Sequence, residues 1–179
     1  MILKTPRLNI RFIKPGDWES LIEIWKDFNE SEFSQYDVPH SLDETEVREK
    51  AECWAKVSPH KEHMFFAVCD QKEMLGYIDF HKNDDGYECG YCFHSKFHGM
   101  GYAKESMQVL MEWLSKDGSK RFVAGTALNN LPSVKLLTSL GFQKTGEEKV
   151  SFYKDERGED IYFDGGIFVA DAEDSLEIW

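Results

Sequence analysis

Two glycines one residue apart, Gly99 and Gly101 in the run F-H-G-M-G-Y-A-K-E from Phe97 to Glu105, constrain the fold of this chain more than any other stretch. Before them, Tyr87 to Phe93 reads as a strand. After them, Ala103, Met107, Leu110, Met111 and Leu114 recur at helical spacing. The glycines therefore join a strand end to a helix start. A helix's first turn leaves backbone N–H groups without acceptors, and these add to the positive end of the helix dipole. Gly99, Met100, Gly101, Tyr102, Ala103 and Lys104 thus form a loop that can cradle phosphate oxygens, with glycine allowing close approach to the backbone. Lys104 places a positive charge where it opposes the dipole; a phosphate contact would explain it, and so would solvation.

Around this loop the chain reads as alternating short elements. Arg7 to Ile13 alternates Leu8, Ile10 and Phe12 with polar neighbours, the pattern of a half-buried strand. Pro15 opens a helix whose apolar stripe is Trp18, Leu21, Ile22, Trp25 and Phe28; Asn29 to Pro39 then has no period and loops. Ser41 with Glu44 forms a capping box for a second helix running to about Val57. Strands are expected at His63 to Cys69, Met74 to Phe80 and Tyr87 to Phe93, followed by a helix from about Gly101 to Lys116 that ends at Asp117-Gly118. A strand at Arg121 to Thr126, a helix from about Pro132 to Leu140, and strands at about Phe142 to Tyr153 and Asp160 to Val169 complete the order. The expected fold is α/β: a mixed, mostly antiparallel sheet of about seven strands with helices on both faces. One domain spans 1–179, with residues 170–179 as an acidic, frayed tail.

Charge narrows the partners. Lys and Arg total 21 against 33 Asp and Glu, a net charge of −12, which argues against nucleic-acid binding through phosphate neutralisation. A cationic small molecule or peptide suits such a field; a surplus of carboxylates also serves solubility. No apolar run approaches the roughly 18 residues that cross a bilayer, and the N-terminus lacks a secretory signal, so no membrane association and a cytoplasmic location are expected. The 4 cysteines do not read as a disulfide framework. Cys89 and Cys92 form a C-x-x-C, but on a strand residues i and i+3 face opposite ways and no second pair completes a metal site, so no metal is expected. A dinucleotide site is set aside because G-M-G lacks a third glycine.

Four motifs in order, L-K-T-P-R-L-N-I-R, Y-E-C-G-Y-C-F, H-G-M-G-Y-A-K-E and N-N-L-P-S-V-K-L-L-T-S-L-G-F, resemble the ribosomal-protein N-terminal acetyltransferase branch of the GNAT superfamily, from Leu3 to about Val169. His98, Gly101 and Ala103 stand at the defined positions of that family's acetyl-CoA signature, His98 where Arg or Gln is usual. The resemblance implies acetyl-CoA as co-substrate and an acceptor with a primary amine, a peptide N-terminus or a small amine. It implies that Phe93 and Ser95 offer backbone N–H groups to the pantetheine arm and thioester, and that Asn130 and Ser133 hold that arm or a bridging water. The two can equally serve as turn residue and helix cap. Glu88 matches the branch's glutamate and is the expected general base, against the plainer reading of a solvated strand carboxylate. One departure stands out: where many GNAT enzymes carry a tyrosine acid, this chain has Leu136-Leu137, leaving Tyr153 as a substitute or a packing residue. That departure also supports a rival reading, a CoA-binding sensor or scaffold without turnover. Both monomer and homodimer fit the sequence.

Overall fold

The computed structural model describes residues 2–172. The strand expected at Arg7 to Ile13 is β2 (Asn9–Phe12), and an additional strand before it, β1 (Ile2–Lys4), pairs with it antiparallel, Leu3 opposite Ile10, around the turn that carries Thr5 and Arg7. Pro15 starts only a 3₁₀ turn, Pro15–Asp17, and the helix α1 runs from Trp18 to Asn29. Asp17 explains the break. Its carboxylate accepts the Lys14 N–H at 2.8 Å and both Arg11 Nη groups at 2.6 and 2.8 Å, anchoring the turn to β2. The aperiodic stretch after α1 contains a further 3₁₀ segment, Glu32–Tyr36.

Helix α2 spans Glu44–Val57, and its cap is Asp43 rather than Ser41. The Asp43 carboxylate accepts from Thr45 N and Glu46 N, each at 3.0 Å, while Ser41 Oγ accepts only from Asp43 N at 3.2 Å. A charged acceptor adjoining the first turn displaces the hydroxyl two residues before it. Strands β3 (His63–Cys69), β4 (Met74–Lys82) and β5 (Gly86–Phe93) form a meander, and a 3₁₀ turn (Ser95–Phe97) leads through the glycine loop into α3 (Tyr102–Lys116). Strand β6 (Arg121–Ala127), helix α4 (Leu131–Ser139) and the long hairpin β7 (Gln143–Lys154) and β8 (Asp160–Asp171) follow.

The sheet has eight strands in the order β1-β2-β3-β4-β5-β6-β8-β7, one more than expected because a three-residue strand is too short to show alternation. All its pairs are antiparallel except β5–β6. Helices cover both faces. On one, Met107, Leu110 and Leu114 of α3 pack on Phe66, Phe80 and Phe122; on the other, Leu21, Ile24 and Trp25 of α1 and Ala51 of α2 pack on Phe65 and Tyr77. Each fully buried side chain of this size contributes roughly 1.5–3 kcal/mol. The beginning of the expected tail is not frayed: Ala170 and Asp171 finish β8, and Ala172, buried in the core, donates its N–H to Lys120 O at 2.9 Å. Residues 173–179 of that expectation lie outside the described residues. Among the described residues no helix is long and apolar enough to cross a membrane.

Candidate active site

The sheet opens at one place. β5 and β6 pair only through Gly86–Arg121, Tyr87–Phe122 and Glu88–Val123; β6 pairs with β8 on its other edge from Arg121 to Ala127, and past Glu88 β5 keeps β4 alone. The rest of β5 therefore has one edge without a strand. His94 donates its N–H to Leu75 O at 3.1 Å, so by alternation the Phe93 N–H points away from β4 and into the gap.

Below the gap lies the glycine loop. Gly99 and Gly101 have φ of 75° and 78°, values that glycine adopts without a Cβ penalty. The first helical bond of α3 is Glu105 N to Gly101 O at 3.0 Å, and no side chain caps the helix, so the Tyr102 and Ala103 N–H groups precede the hydrogen-bonded ladder. The loop is held by a residue that the sequence reading passed over. Arg7 donates to Met100 O at 3.0 Å and to the Glu105 carboxylate at 2.8 Å, and its guanidinium lies 4.6 Å from the centre of the Tyr102 ring. Thr5 Oγ also bonds to Glu105. The β1–β2 turn thus clamps both the loop and the first turn of the helix.

Other expected residues fall differently. His98 turns back to bond Phe93 O through Nε2 at 2.9 Å, bracing the strand end against the loop. Ser95 does not present a free N–H: the Asp27 carboxylate of α1 accepts from its N at 2.7 Å and from its Oγ at 2.6 Å, because the 3₁₀ turn swings Ser95 out of the strand line. Asn130 caps α4, accepting from Ser133 N at 3.2 Å, while Ser133 Oγ shares a 2.6 Å hydrogen bond with Tyr91 OH that ties β5 to α4 across the gap. Burial, chiefly, pushes the Tyr91 phenol well above its usual range. Tyr153 OH donates to Ser34 O at 3.0 Å, which occupies the hydroxyl in joining the hairpin to the segment after α1.

The opposite face of the gap is a cleft of about 520 Å³. Asp79, His81 and Glu88 line it from β4 and β5, with Glu88 directly across from His81 and exposed to solvent. His81 Nε2 lies 3.1 Å from Asp79 Oδ1, and its Nδ1 shares a 2.9 Å hydrogen bond with His63 Nδ1. A Cβ at residue 90 would sit 2.8 Å from Asp79 Oδ1, so glycine there lets this carboxylate lie over β5. The Asp79 hydrogen bond raises the His81 pKa, opposed by burial and reinforced by the charges of Asp79 and Glu88. Cys92 on the cleft floor is pushed up to about 12 by burial, then by Asp37, Asp27 and Asp79, which together make the local field negative. Cys89 and Cys92 face opposite sides of the sheet, and the described residues hold no group of three or more side chains suited to a metal ion.

A glycine loop at an uncapped helix start on one side and a carboxylate cleft on the other, meeting at a gap in the sheet, can bring an activated acyl group to a nucleophile. Comparison with known proteins agrees: the family model for the acetyltransferase (GNAT) domain matches residues 7–143. This chain is a member of the GNAT acetyltransferase family. Its enzyme class is therefore acyltransferase. A relative, the N-acetyltransferase YnaD of Bacillus subtilis (strain 168), is 26% identical over 166 residues, 91% of this chain and 95% of its own. The N-acetyltransferase p20 of Bacillus licheniformis is 28% identical over 151 residues, 80% and 83% of the two chains. Among solved structures, the ribosomal-protein-S5-alanine acetyltransferase of Vibrio fischeri superposes with a TM-score of 0.80 at 19% identity, covering 97% of this chain and 98% of that one. The ribosomal L7/L12 α-N-protein acetyltransferase RimL, in complex with coenzyme A, gives 0.79 at 19% identity, covering 96% and 98%. At these identities the likeness is one of fold, and the GNAT fold is what the eight-stranded sheet has.

Proposed function

We propose that this protein moves an acetyl group from acetyl-CoA directly to a primary amine, a peptide N-terminus or a small amine. The observation that carries the reading is the gap between β5 and β6, which opens toward the glycine loop on one side and the acidic cleft on the other. The residues fit such a co-substrate: a Cβ at Gly99 would meet nothing within 4 Å, the first turn of α3 is uncapped, and the Phe93 N–H faces the gap. The Tyr102 and Ala103 N–H groups, with the positive end of α3, would take the pyrophosphate.

In this reading Glu88 removes a proton from the acceptor's ammonium, directly or through one water, and the neutral amine attacks the thioester carbonyl. The Phe93 N–H donates to the carbonyl oxygen as negative charge develops on it. The carbon–sulfur bond then breaks as the attacking nitrogen releases its second proton to solvent, and the thiolate leaves, taking its own proton from solvent, since Leu137 offers none and the Tyr153 hydroxyl is engaged. His98 and Arg7 position the loop rather than touch the reacting atoms. The solved neighbours named as ribosomal-protein acetyltransferases, RimL as an α-N-protein acetyltransferase, favour a peptide amine among the acceptors. Calorimetry with acetyl-CoA, run beside a thiol-release assay over a panel of amines and peptides, tests the proposal. Binding with release for at least one amine is expected; tight binding without release for any would replace the enzyme with a sensor.

A further inference from the structure

The cleft has a second end, away from Glu88. There the hairpin β7–β8 and the 3₁₀ segment after α1 come together, tied by the Tyr153–Ser34 hydrogen bond. Three rings gather at this junction. The Tyr36 and Phe163 centroids are 5.1 Å apart and nearly edge to face, and the Phe152 and Phe163 centroids are 5.9 Å apart. Glu148 lies on the same strand face as Val150, which stands opposite Phe163, and Asp37 follows Tyr36 directly. All six side chains line the cleft. Glu148 is distinct among its neighbours: Glu147 pairs with Lys144 and Asp164 with Lys149, while Glu148 has no cationic partner among the described residues. Among the described residues no lysine or arginine lines the cleft.

Asp37 Oδ1 accepts the Val38 N–H at 2.7 Å. Rings that present their π faces or edges beside carboxylates without an ion-pair partner are the chemistry that holds an alkylammonium or guanidinium. A neutral or anionic acceptor would gain nothing from Glu148 and Asp37 and would be repelled or left unpaired beside them. The reacting amine has its own carboxylates at the other end, Asp79 and Glu88, across the gap from the hairpin. We propose that the acceptor carries a second cationic group besides the reacting amine, and that Glu148 and Asp37, with the rings of Tyr36, Phe152 and Phe163, hold it. Such an acceptor is either a small di- or polyamine or a peptide N-terminus followed by a basic side chain. Both share the chemistry of two separated cations.

The inference rests on the acetyl-transfer reading, and matched acceptors separate the two. Thiol release gives kcat/KM for putrescine against butylamine, and for an alanine tripeptide amide against the same peptide with lysine at its second position. The dicationic member of at least one pair is expected to be favoured about tenfold, the size of one partly desolvated cation–ring and carboxylate contact. A preference confined to the amines assigns a polyamine, and one confined to the peptides a basic N-terminus. Glu148→Gln should shrink the preferred pair's ratio toward one, and it should fold normally because Glu148 is exposed. Glu147→Gln, whose side chain is engaged with Lys144, should leave the ratio as it was. Equal kcat/KM within both pairs, or a ratio unmoved by Glu148→Gln, overturns the inference while acetyl transfer stands. Transfer to none of the four acceptors or to any of a wider amine panel overturns the transferase reading and the inference with it.

Discussion

In the proposed transfer the groups that would face the reacting atoms on the α3 side of the gap are backbone: the Phe93 N–H and the first-turn N–H groups of α3. On the α1–α2 side they are side chains delivered by separate segments, from Asp37 after α1 to Asp79 on β4, Glu88 on β5 and Glu148 on β7. The two sides therefore tolerate change differently. Backbone donors survive most substitutions and fail only when a residue blocks the approach or bends the chain. A wall of side chains can be rebuilt one residue at a time, which lets one scaffold hold its acyl donor constant and vary its acceptor.

The sharpest way to break this contrast is to put a side chain into the backbone side. Gly101→Asp places a carboxylate at the turn proposed to take the pyrophosphate, and its left-handed φ adds strain of about 1–2 kcal/mol. The fold should persist, since a Cβ there meets only Arg7 Nη2 at 3.6 Å. Acetyl-CoA binding should fall below calorimetric detection; unchanged affinity in a folded variant would show that the loop does not carry the co-substrate. Glu88→Gln makes the complementary cut on the acceptor side. It keeps shape but loses basicity, so kcat should drop by roughly 10²- to 10⁴-fold near neutral pH and the acidic limb of the pH–rate profile should move. Acetyl-CoA affinity should stay as it was. A near-normal kcat would make Glu88 a solvated strand carboxylate and turn attention to Asp79.

Smaller effects sharpen the boundary between the sides. Arg7→Gln removes the bonds to Met100 O and Glu105 and the stacking on Tyr102 without touching the reacting atoms. KM for acetyl-CoA should rise about tenfold, one charge-assisted contact at a half-exposed site, with kcat little changed; a fall in kcat at constant KM would place Arg7 in the chemistry instead. The smallest effect belongs to His81. Its pKa is raised in the folded protein, so the Asp79–His81 pair stabilises fully below the usual histidine value of 6.5 and is lost as pH climbs through the raised native value. The Tm gap between wild type and His81→Asn should be widest below pH 6.5 and should narrow above it. With 38% of the side chain exposed, solvent screening keeps that gap small. A gap independent of pH would mean that His81 acts through packing alone.

What could be read from the sequence follows the same division. The glycine loop, α3 and the meander were legible because each signal is local: alternation, helical spacing and positive-φ glycines lie within a few residues of one another. Arg7 was not legible as a clamp, because Met100 and Glu105 lie 93 and 98 residues downstream and nothing near Arg7 points to them. The expected Ser95 N–H was lost to Asp27, 68 residues upstream, for the same reason. Ser41 and Asp43 are both good caps, and spacing alone does not choose between them. The Tyr36–Phe163 junction joins segments that only the completed sheet brings together.

The β5–β6 seam has a further consequence, for how the molecule comes apart. Three register pairs are all that join the sheet of β1–β5 to the sheet of β6, β8 and β7, yet the core beneath α3 draws Phe66 and Phe80 from one half and Phe122 and Phe168 from the other. The halves are held together by apolar burial, not by the ladder, so they should unfold as one cooperative unit although their hydrogen bonding is nearly severed. Native-state hydrogen exchange would read this directly. Gly90 and Cys92, whose N–H groups face β4 by alternation from His94, should exchange only with global unfolding, while Tyr91 and Phe93 exchange quickly from the folded state. An alternating protection pattern along a single strand would be the kinetic trace of a sheet left open on one edge.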